Sequence, residues 1–136
     1  YFKAQEYEFR GEKYDSFIQI DSIILREGSE CMYGNETKKL NAEEAIQRMN
    51  ECAYKEYLLF EEFTMKVYNS ILNDKDVSQD VKQQLQIAQS KWNDFKNAEF
   101  ILIETRKYGI VNNQKAFFQR HRALELQSMY KSLLKK

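Results

Sequence analysis

Few residues in this chain could do chemistry. There is one histidine, His121, in "FFQRHRAL", and it has arginine on both sides. No Cys, Asp or Glu stands at metal-ligand spacing from it, and a His between two Arg reads as a surface residue. One His with two Cys makes no zinc set, so no metal and no cofactor is expected. No glycine-rich phosphate loop and no G-x-S-x-G elbow occurs. Carboxylates are plentiful around Glu61 and Glu62, where a pair could in principle do acid–base work. In so charged a segment they read as a solvated helix face. A di-iron bundle would need inward Glu-x-x-His motifs, and one His is too few. No catalytic residue is assigned, and the chain reads as a protein that binds rather than an enzyme.

The elements that would position these residues follow from composition and periodicity. The 136 residues suit one domain. Proline is absent and glycine occurs four times, which favours long helices. In "NAEEAIQRMNECAYKEYLLFEEFTMKVYNSILN", Asn41 and Glu44 have capping-box spacing. Ile46, Met49, Ala53, Tyr57, Phe60, Val67 and Ile71 then form one stripe. "NDKD", residues 73 to 76, ends that helix. A second helix is expected from Ser78, with Leu85, Ala88, Trp92, Phe95 and Leu102 buried and Gly109 as its stop. A third should run from about Asn113 to Leu134 on Phe117, Leu124, Tyr130 and Leu133. Residues 1–40 are an N-terminal extension, with a short helix from Asp15 or a hairpin around Gly11, then a loop at "GSECMYGNETKK". The fold class is all-α: an antiparallel up-and-down bundle of about three long helices over residues 41–136, in a single domain of residues 1–136.

Charge narrows the partners. Lys plus Arg equal Asp plus Glu at 21 each, so bulk charge suggests no nucleic acid. No apolar run is long enough to span a membrane. Charge is nonetheless uneven. Residues 105–136 hold eight basic side chains against Glu125 alone, and residues 41–62 hold six acids against two bases. Either antiparallel helices offset each other, or one face binds an oppositely charged protein. The chain opens on Tyr1, which leaves a removed signal peptide and a trimmed chain as alternatives. Cys31 and Cys52 admit either a disulfide or two reduced core thiols.

Two stretches carry a resemblance. Cys52-Ala53, Glu56, Glu61 and Tyr68 resemble the Cys-Ala…Glu…Asp…Tyr pattern of the LprI-type lysozyme-inhibitor family, with Glu61 where that family usually has Asp. Ala88, Gln89, Trp92, Phe95, Lys96, Ala98 and Glu99 are similar to its next segment, Ala-Gln…Trp…(Phe/Tyr)-(Arg/Lys)…Ala-Glu-Cys. The likeness covers roughly residues 31–105. Thr64-Met65 replace the family's Leu-Asn, and Phe100 replaces the cysteine of a second bridge. The resemblance implies apolar packing around Phe100, Phe117 and Phe118 in place of that bridge. It implies an exported, periplasmic or secreted protein with a Cys31–Cys52 disulfide. It also implies inhibition of a lysozyme or muramidase by covering a cleft lined by two carboxylates.

Two loops are the candidate partner-binding elements, Gly28 to Lys39 with Tyr33 and Asn35, and Gly109 to Lys115 with Asn112, Asn113, Gln114 and Lys115. An immunity protein against a competitor's toxin is the alternative. A further one is a helical adaptor whose basic C-terminal helix docks on an acidic surface or on lipid headgroups. Trp92 is expected to anchor the core between helices, and a surface hot spot is the other role open to it.

Overall fold

The computed structural model describes residues 13–33, 40–106 and 110–134. They form four helices: α1 (Lys13–Tyr33), α2 (Ala42–Leu72), α3 (Gln79–Arg106) and α4 (Val111–Leu134). The fold is an all-α bundle, with one helix more than periodicity suggested. The addition is α1, which runs through Gly28 and the first part of the expected loop.

The start of α2 follows its sequence closely. The Asn41 side chain accepts from the Glu44 amide at 2.8 Å, and the Asn41 amide donates to Glu44 Oε1 at 3.1 Å. This reciprocal cap satisfies two amides that helix geometry leaves open. At the other end, "NDKD" turns the chain. The Asp76 amide donates to Asp74 Oδ1 at 2.8 Å. Asp74 is buried, and its Oδ2 accepts the Tyr130 hydroxyl of α4 at 2.6 Å. Ser78 then caps α3 through the Val81 amide.

Cross-helix contacts fix the directions. Asn50, Thr64 and Asp74 of α2 and the turn after it meet Asn112, Gln119 and Tyr130 of α4 in the same order, so α2 and α4 run parallel. Helix α1 runs against them: Cys31 meets Cys52, and Asp21 meets Arg120 farther along. Helix α3 runs the other way to α4, with Glu104 at Lys115 and Gln89 at Arg122. The chain is thus up-and-down, with α1 and α3 flanking a central α2–α4 pair. That pair has the closest backbone approach, helped by the small buried Ala116 and Ala123 on α4. The core joins Ile20 and Ile24 of α1, Phe60, Phe63, Val67 and Ile71 of α2, and Leu126 and Tyr130 of α4. From α3, Leu85 joins it and Val81 packs against it.

The expected stripes need correction at five places. Ile46 is 54% exposed. On α3, Ala88 is exposed, Phe95 is 55% exposed and Leu102 is 48% exposed. The covered side of α3 instead reads Leu85, Gln89, Trp92, Lys96, Phe100 and Ile103, the same period rotated around the helix. On α4, Phe117 is 69% exposed, and the covered positions are Ala116, Gln119, Arg122, Ala123, Leu126, Gln127 and Tyr130. Polar groups were bonded inward, so apolar spacing alone misplaced both faces. Gly109 lies outside the described residues.

Candidate functional site

The two expected binding elements converge on one end of the bundle, but as helix rather than loop. Gly28 to Tyr33 form the last turns of α1, and Asn112 to Lys115 form the first turns of α4. Backbone hydrogen bonding explains both: α1 needs no break at Gly28, and the Asn113 and Gln114 amides already bond to Ile110 O. Asn35 lies outside the described residues, and Tyr33 is the last residue of α1.

Between these elements the Cys31 and Cys52 sulfurs are bonded, with Cα atoms 5.8 Å apart. The bridge fixes the end of α1 to the third turn of α2. Asn112 is engaged within the fold. Its amide donates to Asn50 Oδ1 and its side-chain Nδ2 donates to Asn50 O, each at 3.2 Å. Lys115 pairs with Glu104 and sits 5.3 Å from the Phe100 ring centroid. Asn113 is exposed, and Gln114 is half-buried. Of the four polar residues expected at this site, Asn113 is the one the fold presents most openly.

Glu56, one of the residues that carry the family resemblance, lies at the centre of this end, although spacing gave it no place in the candidate site. It borders a cleft of about 1200 Å³ along α1 and α2, a pocket of about 310 Å³ beside Met32, Met49 and Ile110, and a groove of about 420 Å³ between α1 and α4. Gly28 makes room for it: a Cβ there would stand 2.2 Å from Glu56 Oε2. An isolated glycine in a helical pattern marks such close approaches, a signal in the sequence beside the motif itself. Arg120 of α4 grips Asp21 of α1 with two hydrogen bonds, 2.8 and 3.1 Å. Burial pushes the Glu56 carboxyl above its ordinary value, Arg120 pulls it down, and Asp21 pushes it up again. The net shift is upward, so the fold favours protonated Glu56. Its contribution to stability is full below about pH 4.5 and is lost as pH rises through the raised folded value. Glu56→Gln should therefore melt higher than the parent at pH 7, and the two should converge below about pH 4.5 in thermal scans.

Apolar groups frame the α1–α4 groove. Leu25 and Phe117 are both exposed there, near Asn113 and Arg120. An exposed Phe beside amide and guanidinium groups is the composition of a protein-contact hot spot. Among the described residues, no three His, Cys, Asp or Glu are grouped to hold a metal. His121 is exposed on α4.

The second motif stretch lies on the opposite flank, where it fastens α3. Gln89 Oε1 accepts from Arg122 Nε and Nη2 at 3.0 and 2.9 Å. Trp92 is half-buried, stacks on Phe118 at 5.7 Å, and lies 5.5 Å from the Arg122 guanidinium. Lys96 lies 3.8 Å from Glu61, which accepts the Tyr57 hydroxyl at 3.2 Å. Burial, with Glu61 next, pushes the Tyr57 hydroxyl up to about 12. Phe100 meets Phe118 edge-on at 5.8 Å, so aromatic packing occupies the place of the missing second bridge. The exposed Phe117 takes no part in it.

The fold and this end of it describe a helical, disulfide-tied protein whose motif residues hold helices together and leave an open groove. A model of the family described as lysozyme inhibitor LprI matches residues 37–135, and the chain belongs to that family. No curated protein and no solved structure matches the chain. Nor does any described helix have the length and apolarity to cross a membrane.

Proposed function

We propose that this chain is an exported inhibitor that binds a lysozyme or muramidase through the α1–α4 groove at its disulfide-tied end. Membership of the lysozyme inhibitor family over residues 37–135 carries this reading. The geometry supports a cleft-covering action. The groove presents Leu25, Phe117 and Asn113 on helices that the bridge and the Arg120–Asp21 pair hold in place. Little ordering is then required at the moment of contact, which favours tight association. The exposed amide of Asn113 can donate to a carboxylate, the group that lines glycosidase clefts. The bridge also agrees with export to an oxidising compartment, where disulfides persist.

The test is titration of the oxidised protein against a panel of lysozymes and bacterial muramidases, following cell-wall lysis. Stoichiometric inhibition of one member is the expected result. Phe117→Ala should then weaken inhibition at least tenfold, about 1.4 kcal/mol or more, as a central aromatic anchor does. Its melting temperature should stay close to the parent's, since Phe117 is 69% exposed. Lack of inhibition across the panel, with binding to a dedicated toxin instead, would move the chain to an immunity role.

A further inference from the structure

Helix α3 carries a second apolar surface on the side turned away from the bundle. Opposite its covered positions, Ile87, Phe95, Ile101 and Leu102 are each exposed over about half their surface or more. Ala88 and Ala98 are exposed among them. Single exposed apolar side chains are ordinary. These six share one face of one helix. Ala88, Phe95 and Leu102 recur every seven residues, a spacing that keeps them on nearly one line, and Ile87, Ala98 and Ile101 widen that line to one side. From Ile87 to Leu102 the face runs about 22 Å along the helix. A continuous apolar face of this kind marks an interaction surface.

The order of residues along the face selects its occupant. Phe95 stands at the middle. Its ring centroid lies 5.7 Å from that of Phe118, so the ring is held on one side and open on the other. Turn a second copy end for end about Phe95, and each position meets the one equally far beyond it. Ala88 then meets Leu102, small against large, which lets the two helices interdigitate. Lys91 comes level with Glu99, cation against anion. Both are exposed. Among the described residues, the ion pairs of α3 within the chain use Lys96 and Glu104, so Lys91 and Glu99 stay open to a partner. Two-fold symmetry makes each of these meetings occur twice. Two copies running the same way would instead set Lys91 beside Lys91 and Glu99 beside Glu99, which is repulsive.

We propose that the outer face of α3 docks on the same face of a second copy of this chain, as an antiparallel two-fold pair centred on Phe95. The pair closes on itself, so it stops at a dimer rather than growing into a filament. One helix from each copy makes an interface at the small end of stable ones, so dimer and monomer exchange and the dimer fills with rising concentration. The pairing uses no residue of the α1–α4 groove and does not depend on the inhibitor reading. It leaves that groove open in both copies.

Sedimentation velocity of the oxidised protein over a concentration series tests this. The parent should pass from monomer to dimer in the micromolar range. Phe95→Gln/Leu102→Gln should stay monomeric, with circular dichroism confirming that it is folded. Lys91→Glu should weaken the dimer about tenfold, since like charges then meet at two symmetric places. Glu99→Lys should do the same. The double exchange Lys91→Glu/Glu99→Lys should restore parental affinity, which a same-direction pair does not predict. Phe117→Ala should dimerise as the parent does. Amide exchange in α3 should slow as the dimer forms, with the other helices unchanged. A parent that stays monomeric into the millimolar range overturns the proposal, and so does a dimer that tolerates both the Phe95→Gln/Leu102→Gln pair and the single charge reversals. A monomeric parent that sediments with phosphatidylcholine vesicles also overturns it, assigning the face to a lipid surface.

Discussion

Reduction of the Cys31–Cys52 bridge should lower the melting temperature by about 10 °C, with dithiothreitol and the Cys31→Ser/Cys52→Ser variant agreeing. The two cysteines are 21 positions apart. Closing a loop of that size removes denatured-state entropy worth about 3 kcal/mol on the chain-entropy model. For a domain of this length each kcal/mol shifts melting by about 3–5 °C. Among the described residues, the other ties of α1 include Ile20 and Ile24 in the core and the Arg120–Asp21 pair. They keep the reduced protein helical but leave the last turns of α1 without their fixed link to α2. Inhibition should therefore fall more than helix content does. Unchanged melting under reduction would show that side-chain packing alone holds α1.

Arg122→Ala should cost about 3 kcal/mol in equilibrium urea unfolding. Arg122 is buried on α4. Its guanidinium gives two hydrogen bonds to Gln89, pairs with Glu125, and lies over Trp92. Truncation strips Gln89 of both donors while it remains covered, and an unmet buried acceptor costs about 1–3 kcal/mol. The lost packing against the indole adds to this. Arg122→Lys keeps the charge without the planar fork and should recover only part of the loss. Tryptophan emission should shift to the red in Arg122→Ala as Trp92 gains water. A cost below about 0.5 kcal/mol would mean that α3 is held without Arg122, by Leu85, the aromatic rings and the Lys96–Glu61 and Lys115–Glu104 pairs.

These seams also explain what could be read from the chain before its structure. The α2 helix was legible end to end, because Asn41 and Glu44 form a local cap and Ala53, Phe60, Val67 and Ile71 are apolar on one face. The α3 helix was legible as a helix but not in its facing. A stripe drawn through apolar residues follows Phe95 and Leu102 outward, whereas the covered face turns on Gln89 and Lys96, whose partners are far away in sequence. On α4, Gln119 and Arg122 likewise bury polar groups that periodicity assigns to solvent. The last turns of α1 were hidden by Gly28 and Ser29, read as turn formers. The backbone hydrogen bonds of α1 carry on through them, and Glu56, on another helix, occupies the space a side chain at residue 28 would fill. The grouping of the proposed binding residues was legible in outline, since Asn112 and Asn113 do reach the same end as Tyr33. The exposed Phe117 was not, because no local pattern distinguishes an outward ring from an inward one.

The two flanking helices are fastened in unlike ways, one by a covalent link and apolar core residues with one ion pair beside them, the other mainly by hydrogen bonds, ion pairs and rings. Amide hydrogen exchange should divide the molecule accordingly. The backbone of α2, α4 and the stapled half of α1 would exchange only through complete unfolding. The α3 amides would exchange through smaller openings in which that helix lifts away while the central pair stays intact. High salt should speed those openings by screening the Lys96–Glu61 and Lys115–Glu104 pairs, while leaving α1 protected.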